Sequence, residues 1–377
     1  MNNIYIVDYL GIHCGMHYYL EAFKKVLGDL PECNIRILSN YSDNPAVQPF
    51  FLNQYKGKIA NKGLALLRNI SRLKKFVKHH SDDIFIYLTY GNAIDIPFMK
   101  VVAKAPRHII DIHEAIAQNV DGNATLRRKF KNIYSDSIKT VISHSTRTDD
   151  FLKEYGFSGR VLRVPHFKYV FPKDFDRSNI AADIASAVDS NRINLLFFGN
   201  LNESKGVDIL VKAINLLPHE YVGRLNVIIA GKDFDGSVYR VKPAEDRRVK
   251  IFARHISDDE LRFLYQNVDF LALPYRKTSQ SGILEMAFYF KRPIITSDVE
   301  YFRLTLDKFP SFGHIAHGLE AAATLDEEAK VYAATLRDII DANPTNNKAD
   351  YFIADDYDRY KHRTEIIDFI EDFKSFI

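Results

Sequence analysis

The chain has 377 residues with 51 Lys+Arg, 48 Asp+Glu and a formal net charge of +3; 46% of its residues are hydrophobic and 26% charged. That length exceeds one ordinary core and predicts two domains, and the balanced composition excludes a disordered or fibrous chain. Two cysteines, Cys14 and Cys33, exclude a disulfide framework or a cysteine metal cluster, and no run of 18 apolar residues offers a membrane span.

The small net charge conceals an asymmetry. Residues 1–170 hold 24 Lys+Arg against 15 Asp+Glu, which leaves 27 against 33 for residues 171–377. A basic first part and an acidic second part imply different partners. No basic n-region with an apolar core opens the sequence, so no signal peptide is expected and the chain reads as cytoplasmic.

In chain order, Asn3–Asp8 predicts a short buried strand, Gly11–Gly15 a turn, and Met16–Leu27 a helix with Tyr19, Leu20, Phe23 and Leu27 on one face. The glycine spacing of this βα opening is not the dinucleotide fingerprint, so nicotinamide cofactors lack their signature. No acidic residue lies between Asp43 and Asp82, a gap that holds Lys56, Lys58, Lys62, Arg68, Arg72, Lys74, Lys75 and Lys78. With Leu66, Leu67, Ile70, Leu73 and Val77 at helical spacing, residues 56–78 predict a basic amphipathic helix. It can pack on its own domain and also make weak contact with an anionic membrane surface; nucleic acid is not expected, because aromatic stacking motifs are missing. Ile84–Leu88 and His108–Ile112 are further strands, and the second leads through Asp111 to His113, at a strand end where open α/β sheets bind ligands. Thr140–Ser143 is another strand, and Ser145 caps the helix that runs to Tyr155. Residues 168–193 are polar and aperiodic and read as linker.

The second half repeats the alternation. Leu195–Phe198 is a buried strand, Gly199 a tight turn, and a helix starts at about Gly206 with Lys205 at its mouth. A strand, a glycine turn and a helix N-terminus aim N–H groups and partial positive charge at one spot, and the lysine makes that spot a candidate diphosphate seat. Val227–Ala230 and Val249–Ala253 are strands, Ser257–Glu260 is a capping box opening a helix to about Asn267, and Phe270–Leu273 is a strand followed by Pro274, Tyr275 and Arg276. Ser279, Gln280, Ser281 and Gly282 form a second polar glycine loop entering a helix that carries Glu285; Pro293–Thr296 is the next strand, and Tyr360–Ile377 reads as an amphipathic helix. The fold class is therefore α/β with two Rossmann-like, doubly wound parallel sheets. The expected division is 1–170, a linker at 171–192, a second domain at 193–350, and a C-terminal helix at 351–377.

The stretch from Asn194 to Asp298, with its "FFGNLNESKGVDILVKAI", "VIIAGKD", "ISDDELRFLYQNVDFLALPY" and "SQSGILEMAFYFKRPIITSD", resembles the C-terminal domain of the GT-B glycosyltransferases, specifically the retaining family 4, glycosyl transferases group 1. "TVISHSTRTDDFLKEYGFSGRVLRVPH" is a weaker echo in the first half. The resemblance implies two domains facing across a cleft, a nucleotide-sugar donor held by the second domain, and a glycan or lipid-linked acceptor on the first. It implies that Gly199, Asn200, Lys205, Arg276, Ser279, Gln280, Ser281, Gly282 and Glu285 meet the donor, that Gly11, Gly15 and Met16 abut its phosphates, and that His113 lies near the transferred sugar. It also implies that the last helix crosses back to the first domain. In catalytic terms, His113, Glu285 and Lys205 are the candidates.

The sequence departs from the family pattern at two places. Asn200 stands where the family has an arginine, so Arg276 and Lys277 are candidates to supply the missing charge. The family's pair of glutamates is reduced: Lys277 occupies the first position counted back from Glu285, and Glu285 itself is one residue out of register. The family chemistry needs neither an enzyme nucleophile nor a metal, so no metal ligand and no cofactor is expected. Asp174-Phe175-Asp176 and Asp233-Phe234-Asp235 match the weak Asp-x-Asp pattern of manganese-dependent transferases. The expected function is transfer of a sugar, with retention, in cell-surface polysaccharide synthesis. The alternatives are a nucleotide-sugar epimerase of the same architecture and a non-catalytic nucleotide-sugar-binding module.

Overall fold

The structure is a computed structural model. It describes all residues except 1, 12–15, 29, 31–32, 42–47, 54–58, 115–122, 170, 172–173, 246–248, 279, 343–349 and 362–363. The chain divides into two compact units, one of Met1–Tyr169 with Arg363–Ile377, the other of Val170–His362.

In the first unit the order is β1 (Asn2–Val7), α1 (Met16–Gly28), β2 (Cys33–Leu38), α2 (Ile59–His79), β3 (Ile84–Tyr90), α3 (Asp95–Val102), β4 (His108–Glu114), α4 (Ala124–Asp136), β5 (Thr140–Ser143), α5 (Thr146–Glu154) and β6 (Arg160–Arg163). The strands form one parallel sheet, β2-β1-β3-β4-β5-β6. Strands covered on both faces must be apolar nearly throughout, and Ile4, Ile6, Phe85, Ile86, Ile110 and Val141 are fully buried. Asn123 and Ser145 cap α4 and α5 by accepting N–H bonds, which fixes where those helices start.

The second unit continues with α6 (Ala182–Ala185), β7 (Ile193–Phe198), α7 (Val207–Leu216), α8 (His219–Val222), β8 (Leu225–Ala230), β9 (Val249–Phe252), α9 (Asp258–Asn267), β10 (Phe270–Leu273), α10 (Gly282–Tyr289), β11 (Ile294–Ser297), α11 (Glu300–Lys308), β12 (Gly313–Ala316), α12 (Leu325–Asp341) and α13 (Ala354–Lys361). Its sheet is also parallel, in the order β12-β11-β10-β7-β8-β9. The capping box at Ser257 and Glu260 opens α9, and a second one at Thr324 and Glu327 opens α12. Leu195, Phe197, Ile209, Ile229, Ala272 and Tyr332 form the centre of this core.

The last helix, α14 (Thr364–Lys374), belongs to the first unit. Its Phe369 packs on Phe23 and Phe167, and Arg160 at the start of β6 donates to the Asp372 carbonyl at 2.7 Å. The stretch read from sequence as one helix, Tyr360–Ile377, is thus two: α13 ends at Lys361 and α14 begins at Thr364.

Strand order places the ligand-binding position of each sheet. In the second unit the order reverses between β7 and β10, and crevices outside the carboxyl ends of strands at such a reversal are where open α/β sheets bind. The loops leaving β7 and β10 are the two glycine loops singled out in the sequence.

Candidate functional site

β7 ends at Phe198, and Gly199 follows with φ 126°, a backbone region that side chains rarely adopt. Its open Cα side faces Ile283 of α10: a Cβ there would lie 3.6 Å from Ile283 Cδ1. The chain then makes a 3₁₀ turn, Glu203–Lys205, capped by the Asn202 side chain, before α7 begins. Gly206 joins the two with φ 68°, and a Cβ there would strike the Pro274 carbonyl oxygen at 1.9 Å. The turn carrying Lys205 therefore lies directly against the segment leaving β10.

That packing brings the predicted residues together. Lys205 Nζ sits 4.0 Å from the centroid of the Tyr275 ring. Burial pushes the pKa of the Tyr275 phenol up, and Ser281 acts against it. Ser281 occupies the N-cap position of α10 with extended backbone but makes no side-chain cap bond. Asn200 is exposed at the edge of the same turn, Gly199 and Gln280 are half-buried, and Ser279 and Gly15 lie outside the described residues. One cationic side chain and one helix N-terminus at a strand-order reversal are groups of the kind that attract an anion.

Two expected donor residues are placed otherwise. Arg276, sought as the replacement cation, forks onto two carboxylates of its own unit: it donates to Glu328 at 2.7 and 2.6 Å and to Asp208 at 2.9 and 3.2 Å. It also donates to the Glu203 carbonyl at 2.7 Å, and its backbone N–H reaches the Ser204 carbonyl at 2.9 Å. Burial alone would favour loss of its proton, but the bonds to Glu328 and Asp208 outweigh that and hold it charged. Its charge is compensated within the fold, and it ties the Lys205 turn to the segment after β10. Glu285, expected at a ribose, is 2% exposed on α10 and accepts a 2.6 Å bond from the Tyr360 hydroxyl of α13. That carboxylate is directed into the unit's interior, among Phe288, Phe312 and Tyr360, which pack on one another.

The Asp-x-Asp segments are built into turns. Asp233 accepts from Gly236 N–H, and Asp235 from Ser237 N–H and Glu203 N–H at 2.9 Å each. Asp176 caps the short turn at Ser178. These carboxylates fold loops, as Asp side chains do at turn positions.

In the first unit, His113 emerges near the end of β4 into a buried polar group. Asp111 Oδ1 lies 2.7 Å from His144 Nε2 and 3.6 Å from His113 Nε2, and Tyr19 of α1 donates to Asp111 Oδ2 at 2.7 Å. His144 Nδ1 lies 3.0 Å from the Val164 carbonyl. Burial pushes the Asp111 carboxyl up, but the imidazoles of His113 and His144 outweigh it, and the group is held well below the usual carboxylate range. Burial lowers the pKa of His113, with Asp111 opposing. The ligand atoms of Asp111, His113 and His144 lie within 4.8 Å of one another, the composition of a cation site. Ligands at 2.0–2.2 Å around a tetrahedral ion would stand roughly 3.3 Å apart. The direct 2.7 Å contact instead makes this a hydrogen-bonded network.

Sequence reasoning missed three of these groups. Asp8, buried at the end of β1, accepts from Leu10 N–H, Gly11 N–H and the Tyr90 hydroxyl at 3.0, 2.9 and 2.6 Å and so shapes the first loop. A carboxylate ending a strand just before a glycine turn was a readable sign of this. His144 and Tyr275 gave no such sign, since their partners are remote in sequence.

Residues 192–317 match the family model described as glycosyl transferases group 1. No curated protein sequence matches the chain. Among solved structures, sucrose-phosphate synthase from Thermosynechococcus elongatus is similar over 100% of this chain and 99% of its own, with a TM-score of 0.69 and 13% identity. Anabaena HepE in complex with UDP-glucose is similar over 100% of both chains, with a TM-score of 0.63 and 14% identity. WaaG, a glycosyltransferase involved in lipopolysaccharide biosynthesis, is similar over 92% of this chain and 98% of its own, with a TM-score of 0.53 and 14% identity. Taken with the two doubly wound sheets and the match that spans both glycine loops, these similarities identify residues 192–317 as a glycosyl transferases group 1 domain in a chain of the GT-B fold.

Proposed function

We propose that the protein moves a sugar from a nucleoside-diphosphate sugar to a glycan or lipid-linked acceptor, with retention at the anomeric carbon, in the assembly of a cell-surface polysaccharide. The observation that carries this reading is the convergence of Lys205, Gly199 and the α10 N-terminus at the β7/β10 reversal. The bond from the anomeric carbon to the diphosphate oxygen breaks, with its electron pair going to the phosphate. The acceptor oxygen bonds the same face of that carbon, and its proton passes to the departing phosphate oxygen. Growing charge on the diphosphate is met by the Lys205 ammonium and the N–H groups of α10, so no divalent ion is invoked. His113 is assigned to the transferred sugar, with Asp111 and Tyr19 as its positioning residues. HepE holding UDP-glucose and the lipopolysaccharide role of WaaG favour the donor class and the acceptor class respectively.

The test is a thermal-shift panel of UDP, GDP and ADP with their glucose conjugates. A ligand at 100 times its dissociation constant adds about 2.7 kcal/mol, roughly 5–10 °C for a unit of this size. Slow hydrolysis of the stabilising nucleotide sugar is expected as well; stabilisation without hydrolysis would favour a binding module instead.

Among the described residues, no helix is long and apolar enough to cross a membrane. Contact with an anionic lipid surface is proposed for α2, peripheral to the inner leaflet. Leu73 and Val77 bury one side of that helix, whereas Leu64 and Leu67 are 48% and 66% exposed beside exposed Arg68, Lys75 and Lys78. Residues 56–58 of the basic stretch lie outside the described residues. Each cation near such a surface contributes on the order of 1 kcal/mol. The protein should sediment with phosphatidylglycerol vesicles and not with phosphatidylcholine ones, and Leu64→Glu with Leu67→Glu should weaken this about tenfold or more. Equal sedimentation of the double variant would remove α2 from the reading.

A further inference from the structure

We propose that Lys232, on the turn after β8, is a second cation of the diphosphate seat and supplies the charge that Asn200 lacks. β7 and β8 run parallel in one register, from Ile193 beside Leu225 to Phe198 beside Ala230. The ladder continues past the ends of both strands. Gly199 N–H donates to the Ala230 carbonyl at 3.1 Å, Leu201 N–H donates to the Lys232 carbonyl at 2.9 Å, and Leu201 bridges Asp233. The same register puts Asn200 opposite Lys232, on neighbouring stretches of chain about 4.8 Å apart. Side chains alternate along such a ladder, so these two share the face opposite to that of Leu201. Leu201 is fully buried in the core of the unit, whereas Asn200 and Lys232 are both exposed. Two glycines allow the turns to close on each other: a Cβ on Gly231 would lie 1.7 Å from the Gly199 carbonyl oxygen.

The charge of Lys232 is not neutralised within the fold, unlike that of its cationic neighbours. Arg240, further along the same loop, pairs with Glu203 at 2.8 Å, and Arg276 is held by Asp208 and Glu328. The carboxylates beside Lys232 in sequence, Asp233 and Asp235, accept backbone N–H bonds from Gly236, Ser237 and Glu203. Among the described residues no carboxylate pairs with the Lys232 ammonium, which lies 4.9 Å from the centroid of the Phe234 ring. That ring is 57% exposed, and Phe234 N–H donates to the Leu201 carbonyl at 3.1 Å, which ties the ring and the lysine over it to the β7 turn. An exposed cation–π contact is weak and gives way to an anion. A diphosphate bridge carries more than one negative charge, and a helix N-terminus offers only roughly half a unit, so a second ammonium has charge to meet. β8 borders β7 on the side away from β10, so Lys232 flanks the seat there. The inference rests on the reading of this seat as a diphosphate site, and it moves the charge of the family's arginine to the strand beside it.

Calorimetric titration of UDP, GDP and ADP into the full chain tests it. Lys232→Ala should weaken the preferred diphosphate about tenfold or more, the scale of one charge-assisted hydrogen bond, with an unchanged melting temperature because the side chain is exposed. Asn200→Arg added to Lys232→Ala should bring the affinity back to within about threefold of the parent, since it returns a cation to the opposite position of the ladder. Lys330→Ala, which removes an exposed lysine of α12, should stay within about twofold. Undiminished diphosphate affinity in Lys232→Ala, or an equal loss in Lys330→Ala, overturns the inference and leaves the seat itself standing. A loss in Lys232→Ala that Asn200→Arg does not recover overturns the claim that one position stands in for the other. A parent protein that binds none of the three diphosphates brings down the underlying reading, and the inference with it, an outcome distinct from the others.

Discussion

Replacing Lys205 by alanine is expected to lower donor turnover by roughly 10²–10³-fold, the scale seen when one preorganised donor to a developing anion is removed. Lys205 is the cation that the turn after β7 delivers to the seat, over the Tyr275 ring. Asn200, where the family has an arginine, offers hydrogen bonds without charge. Arg276 has its own charge compensated by Asp208 and Glu328. Steady-state hydrolysis of the stabilising nucleotide sugar measures this, and Lys205→Arg should recover part of the rate by restoring charge at an altered reach. A Lys205→Ala protein that turns over and responds to nucleotides as the parent does would show that the seat is wrongly placed.

The second large effect is on stability. Arg276→Ala should cost about 3–5 kcal/mol in the second unit, because it leaves Asp208 and Glu328 facing each other without their cation. The Asp208 side chain is 3% exposed, that of Glu328 12% and that of Arg276 21%, so solvent screens little of the repulsion. For a unit of this size the cost corresponds to a fall in melting temperature of roughly 6–20 °C. Combining Arg276→Met with Asp208→Asn and Glu328→Gln removes the charges together and should recover most of the loss. A donor-binding arginine would behave in the opposite way, with unchanged melting temperature and lost turnover. Scanning calorimetry of the single and triple variants separates the two.

The architecture was legible because parallel strands buried on both faces leave nearly continuous apolar runs in sequence. Phe270–Leu273 was read with its observed bounds, and Leu195–Phe198 fell two residues short of a strand that starts at Ile193. The capping box at Ser257 was legible for a local reason, since its two partners are three residues apart. By contrast β2, with Arg36 and an alternating burial pattern, and β12, with Gly313 and His314, carry no such run and were not seen. Both are outermost strands in their sheets, where one partner is missing and the sequence is freer.

The site was legible only in part. Gly199 and Lys205 announce themselves through a strand, a glycine and a lysine within a few residues. The partners of Arg276 and Glu285, Glu328 and Tyr360, were not legible because they lie 52 and 75 residues further along the chain. An unpaired cation near a glycine loop looks like a ligand site until the compensating carboxylates are in view. The Asp111 network shows the same limit, since Tyr19 and His144 come from either side of it in sequence.

The placement of α14 has a consequence for biogenesis. The second unit is one uninterrupted length, whereas the first is assembled from two pieces with the whole of the second between them. As a ribosome makes the protein, residues 170–362 are all available before Phe369 is, so Phe23 and Phe167 await their last neighbour while the later unit already folds. The nascent N-terminal half is therefore unfinished for longest, and it is there that a chaperone would find apolar surface to hold.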